Sequence, residues 1–240
     1  MTLRKHSFNM YRSCRAWAVL FLWVPALAGC GMFEGPPAHS VGHTHKHIGV
    51  EEGAHLRYQK PDRYTWQYPE RVIKALKLES GMKVADLGSG TGYFTFRLAE
   101  AVGSSGKVFA IDVDEEMNAS IDKQAVAKQM ENVRTILAVE HDPLIPEKVD
   151  LIFSVNAYHH LKDRTDYFKN AARYLKPGGR IAIIDFREGA FRHFTKLRVL
   201  LEEFKAAGFA LDKTHGFLPR QHFLVFSLPK TKPPTDTEKR

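Results

Sequence analysis

Residues 84–100 read VADLGSGTGYFTFRLAE. A short run of β character ending at Leu87 passes straight into Gly88-Ser89-Gly90-Thr91-Gly92, and a helical pattern begins near Tyr93. Glycines two residues apart carry no Cβ, so the chain can turn tightly from strand to helix and bring its backbone close to a ligand at the helix's positive end. Two other glycine loops are excluded by spacing. A dinucleotide fingerprint needs G-x-G-x-x-G, but position 93 is Tyr93 and the third glycine, Gly92, comes one residue early. Gly103-Ser104-Ser105-Gly106-Lys107 lacks the four-residue gap of a P-loop, and Val108 follows its lysine, so it reads as a turn into the next strand.

Outward from that stretch the chain alternates β-rich runs with amphipathic helical stretches. Strands are expected at 83–87, 107–112, 133–138, 149–155, 179–186, 209–213 and 222–228, and helices at 69–77, 93–102, 115–131, 164–176 and 195–207. Pro177-Gly178-Gly179 is expected to end the fourth of these helices and turn into the fifth strand. Such alternation predicts an α/β fold, a mostly parallel sheet with helices on both faces. Ligands of such sheets bind outside the carboxyl ends of the strands, which makes the residues just after each strand the functional candidates.

In those positions the sequence resembles class I S-adenosylmethionine-dependent methyltransferases. VADLGSGTGYFTFRLAE resembles their first motif, an acid followed by G-x-G-x-G, and Asp112, twenty residues beyond Gly92, matches the acid that accepts from both ribose hydroxyls. AVEHDPLIP, with Asp142, resembles the loop that places an acid near the adenine amino group; VDLIFSVNAYHHL and LKPGGRIAIIDF resemble the fourth-strand and fifth-strand regions. The resemblance covers roughly residues 60–228. It implies a Rossmann-like seven-stranded sheet with an antiparallel last strand, and S-adenosylmethionine as cofactor. It also implies cofactor binding by Asp86, Gly88, Ser89, Gly90, Gly92, Asp112, Asp142 and Asn156. Each residue has a plainer reading beside it. The glycines could serve only a tight turn, Asp86 could organise the loop, Asp112 could cap a helix although Asp114 is better placed, and Asp142 could form a turn before Pro143.

The resemblance also sets the chemistry. The cofactor's methyl group sits on a cationic sulfur that leaves as a neutral thioether, so the protein mainly aligns the reactants and a general base is optional. The candidates for proton transfer are His159 and His160, with Asn156 and Tyr158 beside them and Asp185 at the end of the fifth strand. A histidine pair opening a helix can equally be a helix-end or core feature. NAYHH lacks both prolines of the NPPY motif of amino-group methyltransferases and gives no support for a nucleic-acid substrate. Tyr58, Tyr64, Trp66 and Tyr68 precede the helix PERVIKALKL, where the family often forms a lid; rings there could exclude water and face a sulfonium, or could simply cover a sheet edge.

The remainder of the chain concerns its address. Residues 1–15 are basic, 16–27 uncharged, and Leu27-Ala28-Gly29-Cys30 follows, the pattern of an export signal whose ending resembles a bacterial lipobox. The expectation is a signal over 1–29, a His/Gly/Pro-rich tether over 30–56, the methyltransferase domain over 57–229 and a solvated tail over 230–240. Membrane attachment is expected through lipidated Cys30, on the periplasmic or envelope side, or through an uncleaved anchor, since the uncharged run through Phe33 is 18 residues long. A false signal would leave the domain facing the cytoplasm. His39, His43, His45, His47 and His55 crowd the tether, where imidazoles could take Zn, Cu or Ni; with no framework to hold a geometry, weak or adventitious binding is expected and no functional metal site. The whole chain carries net charge +8; without the four bases of residues 1–29 it keeps 31 Lys+Arg against 27 Asp+Glu, too mild an excess to argue for nucleic acid. Cys14 and Cys30 are the only cysteines, which argues against the arsenite-type members of the family, as those use several. The expected function is methyl transfer to a small molecule. The competing reading is an exported binding or scaffold protein without turnover, since S-adenosylmethionine is made in the cytosol.

Overall fold

The computed structural model describes residues 62–229. The signal, Cys30, the His-rich tether, Tyr58 and the tail lie outside the described residues.

Seven strands form one sheet in the order β3-β2-β1-β4-β5-β7-β6. They are β1 (Lys83–Leu87), β2 (Lys107–Asp112), β3 (Val133–Leu137), β4 (Val149–Val155), β5 (Leu175–Phe186), β6 (Ala210–His215) and β7 (Gln221–Ser227). β1 to β5 pair in parallel, and β7 runs antiparallel to both β5 and β6, so the expected Rossmann-like sheet with an antiparallel last strand is present. Strand order reverses between β1 and β4. The β1 register sets Leu87 level with Ile111 of β2 and Ser154 of β4, so three strand ends open onto one crevice.

The helices are α1 (Arg63–Gln67), α2 (Pro69–Leu76), α3 (Thr95–Val102), α4 (Glu115–Ala127), α5 (Arg164–Ala171) and α6 (Leu197–Ala206). They cover two apolar layers because successive strand residues face opposite ways. Ile181 and Ile183 of β5 join Phe168, Phe204 and Phe226 in one layer, while Ala182 and Ile184 join Phe94, Leu98 and Phe153 in the other. Phe204 stacks on Phe226 at 4.0 Å between centroids, fastening α6 to β7; full burial of such a side chain stabilises by about 1.5–3 kcal/mol.

Two helix ends and one added helix are the main departures from expectation. The helix expected over 164–176 ends at Ala171, passes through a 3-10 turn (Ala172–Tyr174) and enters β5 at Leu175, ahead of the proline. Leu175 pairs with Val149 before a register shift, and such an irregularity is where a strand accommodates Pro177. The helix expected over 115–131 stops at Ala127, and Gln129 turns left-handed at φ 55°. The five-residue α1 was not expected; Tyr68 at φ 45° separates it from Pro69, which opens α2 where a missing N–H costs nothing. Among the described residues no helix is long and apolar enough to cross a membrane, and no group of three or more His, Cys, Asp or Glu could hold a metal.

Candidate active site

A cavity of about 410 Å³ opens beyond the carboxyl ends of β1, β2 and β4, at the point where strand order reverses. Gly88 to Thr91 form one wall, Asp112 to Asp114 another, Val139 and Glu140 a third, and Asn156, Ala157 and His160 close the β4 side.

The glycine turn is held from β2. The N–H groups of Gly88 and Ser89 both donate to the Ile111 carbonyl, at 2.8 and 3.1 Å. Gly88 has φ 73°, and a Cβ there would lie 2.3 Å from that of Ala157, so only glycine lets the turn approach the β4 loop. Gly90 donates its N–H to Asp112 Oδ2 at 2.8 Å from a left-handed φ of 52°. Gly92 packs towards Phe96 and Ile121 and is absent from the cavity wall.

Asp112 is a ligand of the turn and not the cap of α4. Asp114 caps that helix, accepting from the N–H groups of Glu116 and Met117. Asp112 Oδ1 accepts from the Asp114 N–H at 3.1 Å. Burial raises the Asp112 pKa, and the N–H bonds from Gly90 and Asp114 moderate the rise. The neighbouring Val113 N–H also lowers it; a carboxylate offers about four acceptor positions, so acceptor capacity remains for a ligand hydroxyl.

Two expected acids are placed elsewhere. Asp86 is buried behind the turn, off the cavity wall, where it accepts from Thr95 Oγ1 at 2.6 Å. Burial pushes its pKa up to about 7 against that hydrogen bond, with the Asp112 charge adding to the rise. Asp142 is not part of the cavity wall and accepts from the Tyr174 hydroxyl at 2.7 Å, the Leu144 N–H at 3.0 Å and Arg173. Burial alone would raise its pKa; those three donors carry it below the usual carboxylate range. The bond from the Leu144 N–H is that of a turn, and from the loop after β3 the cavity is lined by Ala138, Val139 and Glu140.

Asn156, at φ 58°, accepts from Gln221 Nε2 at 2.5 Å, and Gln221 Oε1 accepts from Gln67 Nε2 at 3.1 Å. Both glutamines are fully buried, so this chain of amides joins α1, the β4 loop and β7. The two histidines part company. His160 lines the cavity, with its pKa lowered by burial and by its neighbours His159 and His193. His159 lies outside the cavity wall, its Nδ1 2.6 Å from Asp185 Oδ1.

Of the aromatic residues in that segment, the described Tyr64, Trp66 and Tyr68 do not line the cavity. Trp66 packs on Phe186 at 6.0 Å beneath the Arg220 guanidinium, and Tyr64 and Tyr68 are exposed. The residue α1 does contribute is Arg63, which lines the cavity with its guanidinium 4.0 Å from the Tyr93 ring centroid. Nothing in its local sequence distinguishes it from other surface arginines.

Residues 78–214 match the model of a family described as a methyltransferase domain. The chain belongs to this methyltransferase family. A solved methyltransferase of Aquifex aeolicus, titled SAM dependent, is 26% identical, covers 72% of this chain and 96% of its own, and superposes with a TM-score of 0.65. A demethylmenaquinone methyltransferase of Staphylococcus aureus is 31% identical over 144 residues, 56% of either chain. An arsenite methyltransferase of Halobacterium salinarum is 34% identical over 106 residues, 44% of this chain and 27% of that protein. The chain thus spans about half or less of the length of the curated relatives it matches.

S-adenosylmethionine is the cofactor of the family, and the cavity fits it. Ser89 Oγ and Thr91 Oγ1 are buried on the cavity wall without a hydrogen-bond partner, and a buried polar atom left unpaired in a native fold points to a ligand. Together with the remaining acceptor capacity of Asp112 and the Cβ-free face of the turn, these atoms suit a polar nucleoside.

Proposed function

We propose that the protein transfers the methyl group of S-adenosylmethionine to a small-molecule acceptor. The observation that carries this reading is the hydrogen bond that joins Gly90 to Asp112 on the wall of the cavity at the sheet's reversal point. When bound, the cofactor supplies an activated methyl group on a cationic sulfur. Asp112 would receive the ribose hydroxyls, and the Gly88 to Thr91 turn with Ser89 and Thr91 would hold the nucleoside against β1. Arg63 offers a cation for the carboxylate end. Positioning of this kind can lower a bimolecular barrier by about 7–11 kcal/mol, so alignment alone accounts for much of the rate.

The acceptor is proposed to be small, in keeping with the quinone-directed name of the S. aureus relative. Arsenite is disfavoured because the two cysteines of the chain both fall in its first 30 residues. The protein is further proposed to be a membrane-anchored lipoprotein acylated at Cys30, on the envelope side; Cys30→Ala, followed by membrane fractionation, tests this by release of the chain into the soluble fraction.

Calorimetric titration of the full chain with S-adenosylmethionine and S-adenosylhomocysteine tests the function. Micromolar binding that Asp112→Ala removes is the expected result. A folded protein that binds neither would overturn the enzyme and favour the binding or scaffold reading.

A further inference from the structure

Among the described residues three aromatic side chains are exposed: Tyr64, Tyr68 and Phe191. Two of them flank Trp66 in the segment where the sequence allowed a lid, and none of the three lines the cavity.

The short helix α1 is fixed from beneath. Gln67 is fully buried and donates to Gln221 at 3.1 Å, while Trp66 packs on Phe186 at 6.0 Å between centroids. Phe186 stacks in turn on Phe191 at 4.7 Å, and Gly189, at φ 80°, lies in the turn that brings Phe191 back over the end of β5. Trp66, Phe186 and Phe191 therefore form one aromatic row shared by α1 and the irregular segment 187–196. The row is well anchored at its buried end and open at the other, with Tyr64 54% and Phe191 44% exposed. Rings held at the surface in this way mark a face that something covers.

The border of the row is basic. The Arg220 guanidinium lies 5.3 Å from the Trp66 ring centroid, and exposed Arg192 follows Phe191 directly. Segment 187–196 holds Arg187, Arg192 and Lys196 against the single acid Glu188. Tyrosine and tryptophan settle at the headgroup level of a bilayer, where each ring keeps its apolar body in lipid and its polar tip in water, and nearby bases meet anionic phosphates. A protein partner could use the same residue types, but the route of the chain favours lipid. Residues 31–61 separate Cys30 from Asp62, and Asp62 leads directly into α1. An anchor at Cys30 thus holds the domain by the very face that carries the rings, and contact with the bilayer becomes an intramolecular event that needs little affinity of its own.

We propose that the face formed by Tyr64, Trp66, Tyr68 and Phe191, with Arg192 and Arg220, seats the domain on the surface of an anionic phospholipid bilayer. This rests on the lipoprotein anchor proposed above and is independent of the methyltransferase reading. Arg63 of the same helix lines the cavity, so seating α1 brings the cavity close to the headgroups.

Trp66 reports on this contact. The other two tryptophans, Trp17 and Trp23, fall in the signal, and replacing both with Phe leaves Trp66 alone whether or not the signal is cleaved. The full chain so altered is reconstituted into vesicles of phosphatidylglycerol and phosphatidylcholine, with and without bromine on the acyl chains. Brominated lipid should quench Trp66, and the quenching should weaken in phosphatidylcholine alone and at high salt. Arg192→Glu should lower the ratio of seated to free domain by about fivefold or more, the loss expected for one base at an anionic surface. Phe191→Ser should lower it as well, and a cooperative thermal transition shows that each variant is folded. A chain that floats with the vesicles while Trp66 stays unquenched holds its domain clear of the lipid; that result overturns the proposal and assigns the face to a protein partner. Quenching unchanged by both substitutions and by lipid charge also overturns it, since neither the ring nor the bases of this face would then set the contact. A chain that does not float removes the anchor and this proposal with it. A floating, quenched chain that binds no S-adenosylhomocysteine loses the methyltransferase reading and keeps this one.

Discussion

A methyl group on Gly88 would stand 2.3 Å from the Cβ of Ala157. The first loop of the sheet and the loop after β4 therefore touch at the reversal point with no room for a side chain between them. That contact brings the glycine turn, which belongs to the cofactor side, against the segment carrying His159 and His160. Alignment of two reactants depends on such fixed distances, because the entropy of bringing them together is then met by the fold.

Gly88→Ala should destabilise the protein by about 1–3 kcal/mol through overlap, with about 1 kcal/mol more for a Cβ at φ 73°. Adding Ala157→Gly should restore the overlap part and leave the backbone part. Thermal unfolding of the single and double variants separates the two, and equal melting temperatures for both would contradict the contact.

Asp112→Ala should weaken S-adenosylhomocysteine binding by about 10- to 100-fold, the range for loss of hydrogen bonds to a charged group. Asp112→Asn keeps one oxygen acceptor and should fall between parent and alanine variant. Calorimetry measures all three; an unchanged dissociation constant would remove Asp112 from the site.

Asp86 should make stability fall as pH rises. Its carboxyl, at about 7 in the fold against an ordinary value of 3.8, binds its proton more tightly folded than unfolded. The folded form is therefore favoured at low pH, loses that advantage progressively between about pH 4 and 7, and keeps the full penalty above. Asp86→Asn retains an acceptor for Thr95 and should flatten this slope, with its largest gain above about pH 7. Chemical denaturation across that range reads the difference; parallel curves for parent and variant would show that Asp86 does not titrate there.

Asp142→Asn should leave cofactor affinity unchanged and cost about 1 kcal/mol in stability, as weakened hydrogen bonds to Arg173 and Tyr174 would. Calorimetry and denaturation together check it. A loss of S-adenosylhomocysteine affinity without a change in stability would return Asp142 to the cofactor site.

Glu203→Ala should destabilise by about 2–3 kcal/mol, because it leaves the buried Tyr158 hydroxyl and Arg164 without their common acceptor. Tyr158→Phe should cost nearer 1 kcal/mol, since the ion pair survives. Denaturant midpoints order the two variants, and the reverse order would show that the hydroxyl is satisfied elsewhere.

The resemblance and the strand–helix alternation made most of the sheet legible, because a strand followed by glycine, an acid or a turn is a local signal that recurs at each crossover. The fifth strand was legible only from Gly179 onward. Pro177 is a proper reason to stop a strand, and only the irregular pairing of β4 with Leu175 shows that this strand tolerates it. Arg63 gave no signal, since its place on the cavity comes from the turn of α1 against Tyr93, set by residues distant along the chain.

The sequence by itself determined the glycine turn, the acid at the end of β2 and the order in which they meet. Those features depend on backbone freedom at fixed positions and on side-chain chemistry within one crossover. Tertiary structure alone decided which acids and histidines share the site. Asp142 has Arg173 and Tyr174 as partners and no place on the cavity wall, which its sequence did not show. His159 and His160 are neighbours in sequence, yet a 3-10 turn rotates successive side chains by about 120°. One of them therefore reaches the cavity and the other Asp185, a division set by where β5 lies relative to that turn.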